Sequence, residues 1–94
     1  MRVRAVRWVA SDPFPGLVEV RLLDANGSEH ALLDKCSIFD DADRLGPTSA
    51  YPIELAIACR VVTATDTTVT IELEHHVEAT DGRRTFVVSR SSLV

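Results

Sequence analysis

Five residues have the chemistry to hold a transition metal: Cys36, Cys59, His30, His75 and His76. Sites for such ions place ligands at short repeats, C-x-x-C or H-x-x-x-H, so that two donors converge from one turn. Neither spacing occurs here. His75 and His76 are adjacent at the end of an extended segment, where successive side chains leave opposite faces and one ion does not take both. Cys59 falls on the apolar parity of its segment, which is a core position. Asp40, Asp41 and Asp43 suit a hard cation by type, but the run lacks the Gly and the Glu of a calcium loop and reads as a solvated turn. The expectation is no metal and no other cofactor. Nucleophilic catalysis is supported no better. A Ser or Cys can be paired on paper with His and Asp in almost any chain, and the sequence has no G-x-S-x-G elbow, no P-loop and no dinucleotide turn. No catalytic residue is assigned, and an enzyme is the third-ranked reading.

Binding residues come next. Single-stranded nucleic acid is held by aromatic platforms interleaved with basic side chains. The aromatics are Trp8, Phe14, Phe39, Tyr51 and Phe86, and three of them (Phe14, Phe39 and Tyr51) fall in or beside irregular segments. Arg2, Arg4, Arg7, Arg83 and Arg84 gather only if the first and last strands are neighbours; Arg2, Arg4, Arg83 and Arg84 are then the candidate nucleic-acid patch. A net charge of −4 works against phosphate binding. More purposeful is the run after Trp8, Ser11-Asp12-Pro13-Phe14-Pro15-Gly16, an aromatic between two prolines. The plainer expectation is a rigid connection whose Phe14 covers the open end of the core. The sharper one is an exposed aromatic anchor for a partner protein. Tyr51, before Pro52, invites the same two readings. Trp8, Phe14 and Tyr51 are therefore the candidate binding residues.

The elements that must position these residues are strands. Ninety-four residues, 46% of them hydrophobic, suit one domain with a single core, spanning 1–94. Val18, Val20 and Leu22 alternate with Glu19 and Arg21, the period of a half-buried strand. Asp24-Ala25-Asn26-Gly27 follows as a hairpin signal. A two-residue Asn26-Gly27 loop sets Leu22 opposite Ala31 and Val20 opposite Leu33; a type I turn with a Gly27 bulge sets Val20 opposite Leu32. The first is preferred for its apolar pairs. Ile53 to Ala64 reads as one strand, with Ile53, Leu55, Ile57, Cys59 and Val61 on one parity, and Ile57 is expected in the core. Val69, Ile71 and Leu73 alternate likewise, and a loop of Ala64-Thr65-Asp66 pairs Val61 with Val69. An Asp81-Gly82 turn pairs Val77 with Phe86. The first strand, about Arg2 to Val9, changes parity between Ala5 and Val6 and predicts a bulge or a change of sheet. Asp40 to Pro52 is a long irregular connection. The fold class is all-β, an antiparallel barrel or sandwich of about six strands.

Gly16 to Phe39, with Val18-Glu19-Val20-Arg21-Leu22, Asp24-Ala25-Asn26-Gly27, Asp34-Lys35 and Ile38-Phe39, resembles small uncharacterised all-β proteins of high-GC bacteria. Pro52 to Cys59 and Asp81-Gly82-Arg83 extend the likeness over most of the chain. It implies an all-β fold and carries over no activity and no site residue. The preponderance of Arg, nine against a lone Lys35, fits a GC-rich coding sequence. No targeting segment and no membrane span is read in the sequence, and two Cys are too few for a disulfide scaffold, so a cytoplasmic chain with reduced thiols is expected. The expected role is that of an accessory or immunity-like module that binds another protein. The alternative is a barrel that binds single-stranded nucleic acid or a small ligand. The oligomeric state is not readable.

Overall fold

Alternation of apolar and polar side chains sets about half of the chain into strands, and the strands lie in two layers. The computed structural model describes residues 1–40, 42 and 44–93. In chain order it has β1 (Arg2–Ala10), β2 (Leu17–Leu23), β3 (Glu29–Lys35), a single helical turn α1 (Cys36–Phe39), β4 (Ile53–Ala56), β5 (Cys59–Ala64), β6 (Thr68–Leu73), β7 (Thr85–Ser89) and a 3-10 turn at Arg90–Ser92. One sheet has the order β3-β2-β1-β4 and the other β5-β6-β7, with every named pairing antiparallel. The architecture is sandwich-like, not a closed barrel, and has seven strands among the described residues rather than about six.

The core lies between the layers. Val3, Ala5, Val18, Val20, Leu22, Leu32 and Leu55 come from the larger sheet, and Val69, Ile71, Leu73, Phe86 and Val88 from the smaller. Within each strand these residues share a parity, so the period-2 pattern places them on one face. The parity change in β1 is a bulge: the register with β2 shifts between Ala5 and Arg7, and again between Trp8 and Ala10. At the margins Leu32 of β3 forms a bridge with Ala79 in the β6–β7 connection, and Ala25 N–H in the β2–β3 turn donates to Val87 O of β7.

Several expectations need correction. Ile53 to Ala64 is not one strand. It breaks at Ile57–Ala58, where the chain leaves the four-stranded sheet as β4 and enters the three-stranded sheet as β5. Ile57 sits at this corner, half-buried rather than fully in the core. The β2–β3 register is the bulged one, Val20 against Leu32 and Leu22 against His30. Asp24 decides it. Its Oδ1 accepts the N–H groups of Asn26 and Ser28 at 2.9 and 3.0 Å, its Oδ2 meets His30 Nε2 at 2.8 Å, and Gly27 takes a φ of 83°. The His30 hydrogen bond, then the backbone bonds, hold the Asp24 carboxyl below its ordinary pKa.

The β5–β6 register also differs. Val61 lies opposite Ile71, not Val69, because the turn is Thr65-Asp66-Thr67 and a bulge falls between Val61 and Thr63. Phe86 pairs with Ile71 rather than Val77. Val77 is buried outside any strand, because Glu74 to Val77 is a tight turn with His75 and His76 both at φ 60°. These histidines thus occupy turn corners instead of alternating faces of a strand.

Candidate functional site

The connection between β1 and β2 is built to hold one side chain outward. Gly16 N–H donates to Pro13 O at 2.8 Å, closing a turn whose corner is Phe14. Gly16 O accepts the N–H of Cys36 at 2.9 Å, which fastens the turn to the start of α1, and Cys36 Sγ lies 3.8 Å from Pro15 O. Trp8, at the bulged end of β1, packs against the core and donates from Nε1 to Ser11 Oγ at 3.2 Å. Its ring occupies the space that a Cβ on Gly16 would need, and Gly16 has a φ of 120°. Only glycine meets both conditions. The loop is therefore braced at its base, while Phe14 at its tip is 87% exposed. Phe14 does not cover the core, so the plainer expectation for it is overturned by its position.

Tyr51 is placed the other way. It is half-buried against the core, and its hydroxyl donates to Gly46 O at 2.8 Å. Burial raises its pKa above the ordinary phenol value, the bond to Gly46 opposing that only in part. Tyr51 fastens the 40–52 connection to the body of the protein. Trp8, on β1, braces the loop that carries Phe14; Tyr51 belongs to another connection.

The basic residues are dispersed. β1 and β7 lie in different sheets, so the adjacency needed to gather Arg2, Arg4, Arg83 and Arg84 is missing. Arg83 stacks over the Phe86 ring at 4.9 Å, and Arg84 donates from Nη2 to Leu73 O at 3.3 Å. Arg2 and Arg4 instead line a cleft of about 230 Å³ with Arg21, Glu29 and Glu54. Arg4 pairs with Glu29 at 3.3 Å.

Beside it lies the tightest ionic group among the described residues. Glu19, 7% exposed, accepts from Arg7 Nε at 2.9 Å and from Arg21 Nε at 2.6 Å. Burial works to raise the Glu19 pKa, but the hydrogen bonds and charges of Arg21 and Arg7 outweigh it and leave the carboxyl below its ordinary value. The outer face of the larger sheet thus carries a cluster of paired charges beside the exposed Leu23 and Leu33. Arg21 and Glu19 share a parity in β2, and that parity was the available signal for their joining the β1 arginines.

A shallow groove of about 460 Å³ lies where α1 meets the β4–β5 corner, and Ser37, Asp40 and His75 line it together. Sequence spacing gave no hint of this meeting, because the turn at His75 and the corner at Ile57 create it. The three do not form a relay: among the described residues no hydrogen bond joins them, and Asp40 accepts from Arg44 Nε and Nη2 at 3.1 and 3.2 Å. Those bonds outweigh burial and hold the Asp40 carboxyl low. Asp41 and Asp43 lie outside the described residues. Among the described residues no group of three His, Cys, Asp or Glu is placed to hold a metal ion, and no helix is long and apolar enough to cross a membrane.

No family model matches the chain, and neither a curated protein nor a solved structure matches it.

Proposed function

We propose that this chain is a protein-binding module of the accessory or immunity-protein kind, working without catalysis, with Phe14 as its anchor. The observation that carries the reading is a phenylalanine 87% exposed at the tip of a loop whose base is fixed by Gly16, Trp8 and Cys36. A side chain held out on a rigid base loses little entropy on binding, and an aromatic fills a partner's apolar pocket efficiently. Free thiols at Cys36 and Cys59 suit work in a reducing compartment such as the cytoplasm. The paired charges around Glu19 and Glu29 weaken the alternative, since phosphate binding draws on uncompensated Arg and Lys.

The test has two stages. Affinity capture from the source cell with the unmodified chain and with Phe14→Ala identifies a partner retained only by the former. Titration of the two forms with that purified partner then measures the anchor. Burying a Phe side chain is worth about 1.5–3 kcal/mol, so Phe14→Ala should weaken binding roughly 10- to 150-fold. Equal affinity for both forms would refute the anchor. Anisotropy with mixed-sequence DNA and RNA at two salt concentrations addresses the alternative. Tight binding that falls steeply with salt, and that charge reversal at Arg2 and Arg4 removes, would replace the protein-binding reading with a nucleic-acid one.

A further inference from the structure

The chain contains a single side-chain amide: Asn26 is its one asparagine, and it has no glutamine. Gly27 follows it, and both are exposed in the β2–β3 turn. A carbonyl carbon on the residue before a glycine is open to attack by the glycine nitrogen, because no Cβ shields that nitrogen. Asn26-Gly27 and Asp81-Gly82 both have this arrangement, and they differ. The Asp81 side chain is occupied, its Oδ1 accepting the N–H of Arg83 at 3.0 Å, and a carboxylate is a poor electrophile. The Asn26 amide is electrophilic, and among the described residues its side chain takes no hydrogen bond; only its main-chain N–H is held, by Asp24 Oδ1 at 2.9 Å. A Cβ on Gly27 would meet nothing within 4 Å, so the space around the attacking nitrogen is open.

We propose that Asn26 is a self-modifying site, which deamidates through a cyclic imide and thereby loosens the β2–β3 turn from β7. The Gly27 nitrogen attacks Asn26 Cγ, a new C–N bond closes the ring, and the Cγ–Nδ2 bond breaks. The proton lost by Gly27 nitrogen balances the ammonia that leaves. Water then opens the imide. Attack at Cγ gives aspartate; attack at the main-chain carbonyl gives isoaspartate, in which the backbone runs through Cβ and Cγ and gains one carbon. The reaction needs water alone and no enzyme.

The position of the amide makes the change consequential. Asp24 organises the turn from its N-terminal side, and the groups it holds lie beyond the insertion: Gly27 N–H on its carbonyl at 3.1 Å and Ser28 N–H on Oδ1 at 3.0 Å. An added backbone carbon moves both out of reach together. Either product also sets a second carboxylate two residues from Asp24 and takes the net charge from −4 to −5. Ala25, between the two, donates the bond to Val87 O at 2.8 Å that holds the turn to β7. The turn also gates its own conversion, since Gly27 N–H must leave Asp24 O before its nitrogen reaches Cγ. Conversion is therefore slower in the folded chain than in a free peptide, and its rate reports how often the turn opens.

Incubation of the full chain at mildly alkaline pH, followed by ion exchange and intact mass, tests the site. A more acidic species should accumulate with the mass change of amide to acid, and an isoaspartyl methyltransferase should label it. Because Asn26 is the chain's one amide, that mass change has no other source. Asp24→Ala removes the bonds to Asn26, Ser28 and His30 and should speed conversion roughly tenfold. Circular dichroism checks that this variant is folded. Hydrogen exchange needs no variant: the Ala25 N–H should exchange at least several-fold faster in the converted chain than in the fresh one. No conversion within about a hundred half-lives of the free peptide Leu22–His30 overturns the site. A folded Asp24→Ala that converts no faster overturns the gating by the turn. Ala25 exchange equal in the two forms overturns the loosening from β7.

Discussion

Phe14 lies between Pro13 and Pro15 and stands 87% exposed, while Tyr51, before Pro52, is half-buried with its hydroxyl 2.8 Å from Gly46 O. Both are aromatics set against proline in irregular connections, and in sequence they look alike. The hydroxyl separates them. A phenol can enter a loop interior because it satisfies a carbonyl that burial would otherwise strand, and Gly46 offers one. Phe14 has no such exchange to make, and the space beneath its loop is already filled by Trp8. The lesson is that one connection uses its aromatic to close itself, while the other uses an aromatic from the neighbouring strand and keeps its own outside.

If that contrast is right, the largest effect belongs to the brace. Gly16→Ala forces a Cβ into the Trp8 ring at a positive φ and should cost about 3 kcal/mol of stability in chemical denaturation. A loss below about 1 kcal/mol would mean that Trp8 swings away freely and the loop is not fixed. Tyr51→Phe comes next. It keeps the ring and removes the bond to Gly46, so about 1 kcal/mol should be lost. An unchanged denaturation midpoint would assign Tyr51's position to packing and dissolve the contrast. Phe14→Ala is the smallest, within about 0.5 kcal/mol of the parent. A loss as large as that of Tyr51→Phe would show that Phe14 packs on the fold after all.

What the sequence disclosed follows the same physical division. Val18, Val20 and Leu22, and again Val69, Ile71 and Leu73, announced their faces because each strand has one side on the core and one side away from it. The bulge after Ala5 was readable because it reverses a parity. The break at Ile57–Ala58 was not, since the parity of Ile53, Leu55, Ile57, Cys59 and Val61 continues unbroken through a corner that carries the chain from one sheet to the other. Edge position was equally hidden. Val61 shares the parity of a core residue yet is 53% exposed, because exposure at an edge depends on which strand arrives beside it. Of the candidate site, the proline-flanked Phe14 could be singled out but not oriented. The fixing of its loop required Trp8, Gly16 and Cys36 to meet from separate elements, and no local pattern encodes that meeting.

The corner at Ile57–Ala58 has a bearing on how the molecule is assembled. β1, β2 and β3 pair in the order in which they occur, and so do β5, β6 and β7, so each group is joined by short closures. The β1–β4 seam is the exception. Arg2 to Ala5 must wait for Ile53 to Ala56, with most of the larger sheet and all of the 40–52 connection between them. Such a closure carries the greatest chain-entropy cost of any pairing here. Because β4 runs on through the corner into β5, the seam of one sheet that costs the most chain entropy to close is also the point from which the chain enters the other.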